Sequence, residues 1–204
     1  ISIPDSVTSI GEYAFSDCIK MTSLQLGAGI RQICQYAFFN CALLQGVEFG
    51  ENLETIEDSA FGSCLQLQEI VIPDSVTIIE SDAFYDCHSL VSVTLPGSVR
   101  SIKDDAFECC SVLKNVYYQG NIATWVNISF ADYDSNPLSM GAELYIGGQL
   151  VTDVTIPDSV TGLGSYTFYA YSSLKSVVIP QSITVIPSYA FYNCDSLASI
   201  VIPE

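Results

Sequence analysis

The sequence predicts a β-rich repeat solenoid coiled in 23-residue units, with a parallel sheet along one side and short second strands or 3₁₀ turns along the other. Three observations predict it. An aromatic marker recurs at a fixed interval: Phe15, Phe38, Phe61, Phe84 and Phe107 are each 23 residues apart, as are Phe168 and Phe191. Apolar columns keep step with that marker. A period-two, β-branched segment closes each unit and is often followed by Pro. Self-similarity at such a period means stacked units, none of which buries its apolar face alone.

The columns define the elements in order. Eight residues before the marker stand Val7, Ile30, Leu53, Val76, Val99, Val160 and Ile183, and five before it Ile10, Ile33, Ile56, Ile79, Ile102, Leu163 and Ile186. The stretch from this second column to Phe is too short for a long helix, which leaves a second strand or a 3₁₀ turn. Six after the marker stand Met21, Leu44, Leu67, Leu90, Leu113, Leu174 and Leu197. Positions nine and eleven after it alternate with outward residues, as in Val93-Thr94-Leu95. That alternation reads as a strand buried on one face. Pro73, Pro96, Pro157, Pro180 and Pro203 then end the ladder, having no N–H to give it. Pro-Asp-Ser-Val-Thr at 4–8, 73–77 and 157–161 is a turn in which Pro presets φ and Asp or Ser bonds back to the backbone. Stacking contributes about 1.5–3 kcal/mol for each large side chain covered.

One solenoid is expected over 1–204, with regular coils over 1–118 and 152–204 and an irregular unit over 119–151. Phe107 to Phe168 is 61 residues, two periods and 15 more. The irregular unit holds the single Trp, Trp125. Ile122, Trp125, Val126 and Ser129 are spaced as on a helix, and 132–137 reads as a loop. Leu144–Ile146, Gly147-Gly148 and Gln149–Val151 read as a hairpin, since paired glycines permit the primed turns. Leu144–Ile146 and Val154–Ile156 lie too close for two successive coil strands, because a parallel crossover takes about a dozen residues. One of them therefore belongs to a local hairpin.

Six Lys and Arg stand against 23 Asp and Glu, a net charge of −17. This disfavours nucleic acid, whose phosphates need cationic partners, and docking on an anionic membrane. It keeps the surface soluble and favours cations or basic partners. No run reaches the roughly 18 apolar residues of a membrane span. The chain opens and closes inside a repeat unit, so a piece of a longer protein is expected, with more coils or domains on at least one side and targeting signals lost with them. A single His, His88, in the turn after Cys87, leaves no Ser-His pairing. No phosphate-binding or dinucleotide fingerprint occurs. Carboxylates recur along outer positions rather than gathering in a pocket, so neither an enzyme nor a cofactor is expected.

The unit at 73–95, with Asp82-Ala83-Phe84-Tyr85-Asp86-Cys87 inside it, resembles the BspA-like leucine-rich repeat. The likeness covers about 1–118 and 152–204. Leu90, Val93, Leu95 and Ser98 fill the general leucine-rich pattern. Its Asn/Cys place is taken by Ser6, Asn52, Ser75, Ser98, Ser159 and Ser182, with Gly29 departing. Such a polar column is expected to satisfy turn backbone groups. The resemblance implies a right-handed leucine-rich-repeat-like coil and a bacterial surface protein associated with adhesion and host-protein binding. In such a protein the glycosylation sequon at Asn127 carries no weight.

Cys18, Cys41, Cys64, Cys87, Cys110 and Cys194 fall three after the marker, with Tyr171 in the seventh place. Neighbours in one column cannot all pair, and their Cβ vectors point the same way. They read as buried thiols acting as small hydrophobes. Cys34 and Cys109 lie off the column and are expected to be exposed.

Two surface rows are candidates for binding. The outward strand positions hold Gln25, Glu48, Val71, Thr94, Tyr117, Val178 and Val201. A second row flanks the buried Phe: Tyr13, Tyr36, Phe39, Tyr85, Tyr166, Tyr169, Tyr189 and Tyr192. Tyr117 and, in the irregular unit, Tyr145 complete the aromatic set. Tyr is favoured at interfaces because it is large, rigid and amphipathic, although stacking of the rings on one another would also account for the row. Between the aromatic ends lies an acidic centre of Glu57, Asp58, Glu80, Asp82, Asp104 and Asp105. It is a candidate for weak cation binding, but its spacing matches no defined calcium loop. The expected function is a non-enzymatic binding module of a secreted or cell-surface bacterial protein, with a host extracellular protein or glycan as partner. The alternative is a structural spacer that holds other domains away from the cell.

Overall fold

The structure is a computed structural model of the chain and describes residues 1–202. Pro203, expected to end the last ladder, lies outside the described residues.

Each coil contributes one front strand where the alternating segment stands. Ser23–Leu26, Glu69–Val71, Ser92–Leu95 and Asn115–Tyr118 turn Leu24, Ile70, Val93 and Val116 inward and their neighbours outward. Pairing is parallel and advances by one repeat, as in Ser2 with Gln25, Glu69 with Ser92 and Ser92 with Asn115. The front is divided. Ser2–Ile3, Ser23–Leu26 and Gly46–Glu48 form one sheet, and a second begins at Glu69–Val71. Gly46, the smallest side chain in its row, stands at the break.

The Ile column forms the opposite side. Ser9–Ile10, Gln32–Ile33, Thr55–Ile56, Ile78–Ile79, Ser101–Ile102 and Ser129–Phe130 make a six-stranded parallel sheet. The expected second strand is therefore present, two residues long, in these coils. It is missing at 162–165 and 184–187. There Leu163 lies between two glycines and Ile186 precedes Pro187, and both contexts weaken a strand.

The segment around each marker Phe is a third ladder. Ala14, Ser16 and Cys18 N–H groups close local turns on Gly11, Tyr13 and Phe15, while Tyr13, Phe15 and Asp17 N–H groups reach Gln35, Ala37 and Phe39 of the next coil. Alternation of local and inter-coil donors requires left-handed backbone two residues either side of Phe. All 14 non-glycine residues with positive φ occupy those two places, from Tyr13 and Asp17 to Tyr189 and Asn193.

The core is the set of columns. Phe38, Phe61, Phe84, Phe107 and Phe168 are fully buried; the rings from Phe15 to Phe107 stack face to face along the axis, with Phe38 and Phe61 centroids 5.2 Å apart, and beyond the irregular unit Phe168 stacks on Phe191. Burial fails where a coil has a described neighbour on one side only: Ile186 is 44% and Ile202 59% exposed. The polar column works as expected at four places. Asn52, Ser75, Ser98 and Ser182 donate to the carbonyls of Ala28, Leu53, Val76 and Val160. Gly29 departs from that column because a Cβ there would lie 1.9 Å from the Asp5 carbonyl oxygen.

Among the described residues all eight cysteines are free. Cys41, Cys64, Cys87 and Cys110 are buried, and each Sγ–H donates to the Phe carbonyl 26 residues earlier, at 3.3–3.4 Å. They are donors as well as hydrophobes. Cys18 and Cys194, expected to be buried with them, are partly exposed, as are Cys34 and Cys109.

The irregular unit is a lengthened coil followed by a hairpin. Ser101 pairs with Ser129 and Asn115 with Glu143, so this coil is 28 residues long. The helix is one turn, Ile122–Trp125, held by a capping box between Asn121 and Thr124. Ser129, expected on it, instead begins the back strand. Residues 132–136 are the expected loop, in which Asp132 accepts from Ser135 N–H, and a 3₁₀ turn follows at Pro137–Met140. Strand Glu143–Ile146 is at once a coil strand and one arm of the hairpin. It pairs in parallel with Asn115–Tyr118 and antiparallel with Gln149–Leu150, with Gly147 and Gly148 at positive φ between. A third front sheet then starts at Asp153–Thr155 and runs through Ser176–Val178 to Ser199–Val201.

Candidate functional site

The turn ladder places the aromatic row. The residues two before Phe are, in coil order, Tyr13, Tyr36, Ser59, Asp82, Asp105, Tyr166 and Tyr189; those one after are Ser16, Phe39, Gly62, Tyr85, Glu108, Tyr169 and Tyr192. The two columns run side by side along one edge of the solenoid. Their rings form two clusters. At one end Tyr13 stacks on Tyr36 at 4.9 Å, and Phe39 meets Tyr36 edge-on at 5.5 Å. At the other, Tyr166 stacks on Tyr189 at 5.1 Å and Tyr169 on Tyr192 at 5.2 Å.

The second cluster has a member that sequence reading left out of the row. The Phe107 N–H bonds the Asp134 carbonyl where other coils bond Ala. That register puts Tyr133 in the column of Tyr166, and its ring lies 5.8 Å from Tyr169. No Ala-Phe marker accompanies Tyr133, so periodicity could not find it. Tyr13, Tyr133, Tyr189 and Tyr192 are about half exposed.

The irregular unit fixes this cluster. Trp125, fully buried, donates its indole N–H to the Thr167 carbonyl at 3.2 Å, and the buried Asn136 amide donates to Tyr166 at 2.7 Å. Gly164 N–H bonds Val126, and a Cβ on Gly164 would meet the Ile128 carbonyl oxygen at 2.4 Å. Trp125 is therefore core filler, and its unit orients the next tyrosines.

Tyr117 and Tyr145 belong elsewhere. They are cross-strand partners on the front sheet, 5.2 Å apart, separate from the turn edge. Tyr85 stands without an aromatic partner among the described residues, and neighbouring Cys109, Asp86 and Glu108 push its phenol upward.

Between the clusters the same two columns turn acidic. Carboxylate oxygens of Asp82, Asp105 and Glu108 lie within 4.8 Å of one another. Burial, then repulsion from Asp132, pushes Asp105 up to about 6. Asp82 is raised by burial, then by Asp58, Asp104 and Asp132. Asp134 is raised by burial, then by Glu108. Glu57, counted with this centre, is engaged instead with Gln35 N–H and the Gln32 amide. His88 is an exposed turn residue 3.1 Å from Asp86.

The front face carries a shallow depression of about 590 Å³ around Gly46, lined by Gln25, Glu48, Glu69 and Val71 among others. No helix among the described residues is long and apolar enough to cross a membrane.

Comparison with known proteins places the fold. The chain superposes on a leucine-rich cell surface protein from Faecalibacterium prausnitzii with a TM-score of 0.62 and 35% identity, over 63% of this chain and 34% of that one. It thus spans about a third of that protein. A Treponema pallidum leucine-rich repeat protein is similar over 98% of this chain and 68% of its own, with 22% identity and a TM-score of 0.56. The pneumococcal vaccine antigen PcpA is similar over 97% of this chain and 56% of its own, with 21% identity and a TM-score of 0.56. These last two share the fold. No curated protein matches in sequence. The BspA type leucine-rich repeat region matches in six copies over residues 1–67, 54–139 and 138–204. Period, turn ladder and family match agree, and the chain belongs to the BspA type leucine-rich repeat family.

Proposed function

We propose that this chain is a non-enzymatic binding module of a secreted or cell-surface bacterial protein, and that it contacts a host extracellular protein or glycan through its aromatic turn edge. One observation carries this reading. Tyr13, Tyr36, Tyr166 and Tyr189 occupy left-handed backbone, with φ between 55° and 60°. A bulky residue there costs about 1–2 kcal/mol. An aromatic pair returns about 0.5–1.5 kcal/mol. Stability therefore gains little from tyrosine at places where other coils carry Ser or Asp. Half-exposed, pre-stacked rings are suited to a partner, since little freedom remains to be lost on binding.

The surface location rests on the family and on the likeness to the leucine-rich cell surface protein of Faecalibacterium prausnitzii. A screen of this chain against immobilised extracellular matrix proteins and a glycan array tests the role. Retention that Tyr169→Ser with Tyr192→Ser abolishes supports it. Uniform silence favours a spacer, and turnover of any substrate overturns both.

A further inference from the structure

We propose that the turn edge from the carboxylates of Asp82, Asp105 and Glu108 to the tyrosines of the C-terminal coils is a docking surface for a cationic, Arg- or Lys-bearing segment of a protein partner. This deepens the binding reading and rests on it.

The surface is continuous. Tyr133 joins its two halves, 5.8 Å from Tyr169 on one side and next in sequence to Asp132 and Asp134 on the other. Charge complementarity selects the partner. The chain carries a net charge of −17. Among the described residues Arg31 with Glu54 is the one pairing of a Lys or Arg with a carboxylate, so Asp82, Asp105 and Glu108 have no such cationic partner. Carboxylates this close repel one another. An arriving cation relieves that repulsion, whereas an acidic protein or an anionic glycan adds to it. A neutral glycan would use the rings and leave the carboxylates without a role. Arginine suits both halves at once: its planar fork pairs with carboxylates and its flat, weakly hydrated face accepts an aromatic neighbour. The alkyl stem of Lys or Arg covers ring edges while the charge stays at the acids.

Fluorescence anisotropy with labelled peptides of about twelve residues, alternating Gly with Arg, Lys, Gln or Glu, tests this on the whole chain at low and near-physiological salt. The Arg and Lys peptides are expected to bind, Arg the more tightly, and the Gln and Glu peptides not to bind. Tyr169→Ser with Tyr192→Ser is expected to weaken the Arg peptide about tenfold at unchanged net charge. Serine already fills that column at Ser16. Asp82→Asn with Asp105→Asn is expected to weaken it similarly, and Asn tolerates the left-handed backbone there. Asp74→Asn with Asp158→Asn makes the same charge change in the Pro-Asp-Ser turns and is expected to leave binding unaltered. Circular dichroism melts show whether each variant folds. Equal loss in the Asp74 and Asp158 pair, or no loss in the tyrosine pair, means diffuse attraction and overturns the inference. Capture of the Gln peptide or a neutral glycan through Tyr169 and Tyr192 overturns the cationic partner yet leaves the binding role standing. Failure of both basic peptides to bind also overturns it, and the matrix and glycan screen then decides the binding role separately.

Discussion

Left-handed backbone at two residues per coil sets a cost that the sequence meets mostly with Asp, Asn, Ser and Tyr, and once each with Cys109 and with Ala170, at φ 55°. Ala170 lacks a polar side chain to offset it. Ala170→Gly is expected to raise stability by about 0.5 kcal/mol, the relief of strain outweighing the greater freedom of the unfolded glycine. Ala170→Val should lower it by more than about 1 kcal/mol. Chemical denaturation checks both. The cysteine column makes a second residue-scale prediction. Burial pushes the Cys41 thiol up to about 11 and Cys110 to about 12, and raises Cys64 and Cys87 as well. A buried thiol that is not ionised does not react. At most Cys18, Cys34, Cys109 and Cys194 should take up a thiol reagent in the folded protein, and all eight after unfolding. Labelling of Cys64 in the native state would contradict this.

At the scale of elements, the one-turn helix Ile122–Trp125 couples the lengthened coil to the C-terminal tyrosines. Trp125→Ala removes a fully buried ring and its bond to Thr167, and should cost about 3–5 kcal/mol. As the only tryptophan, Trp125 should emit at short wavelength in the native protein and shift red on unfolding. A red-shifted native spectrum would mean that the unit does not pack as described. Periodicity located this region but not its construction. Spacing placed Ser129 on a helix because an amphipathic stretch and a turn followed by a strand share the same apolar positions over so short a span. The Gly-Gly hairpin was readable because its chemistry is local, whereas the dual pairing of Glu143–Ile146 depends on which strand lies beside it.

Across the whole molecule the acidic centre gives stability a pH dependence. Asp105 rises from its ordinary value of 3.8 to about 6, with Asp82 and Asp134 shifted the same way. Between those two values the native state binds more protons than the unfolded one, so these groups favour folding as pH falls through that window and disfavour it above. The thermal midpoint should therefore be higher near pH ~5.5 than near pH ~7.5, and Asp105→Asn should flatten the difference. A midpoint that falls on acidification over this range would contradict the assignment. The fold itself was legible without coordinates. A 23-residue repeat of Phe, Ile, Leu and alternating strand residues admits stacking as the way to bury every column, so solenoid, parallel sheet and second strands all followed. Family and overall architecture were thus properties of the sequence alone. Tertiary structure decided which aromatics meet. It separated Tyr117 and Tyr145 from the turn edge, left Tyr85 among carboxylates, and brought Tyr133 to Tyr169. The physical reason is register: a repeat carries its own ruler, and where residues 119–151 interrupt it, only the hydrogen bonds between coils show which residue stands in which column.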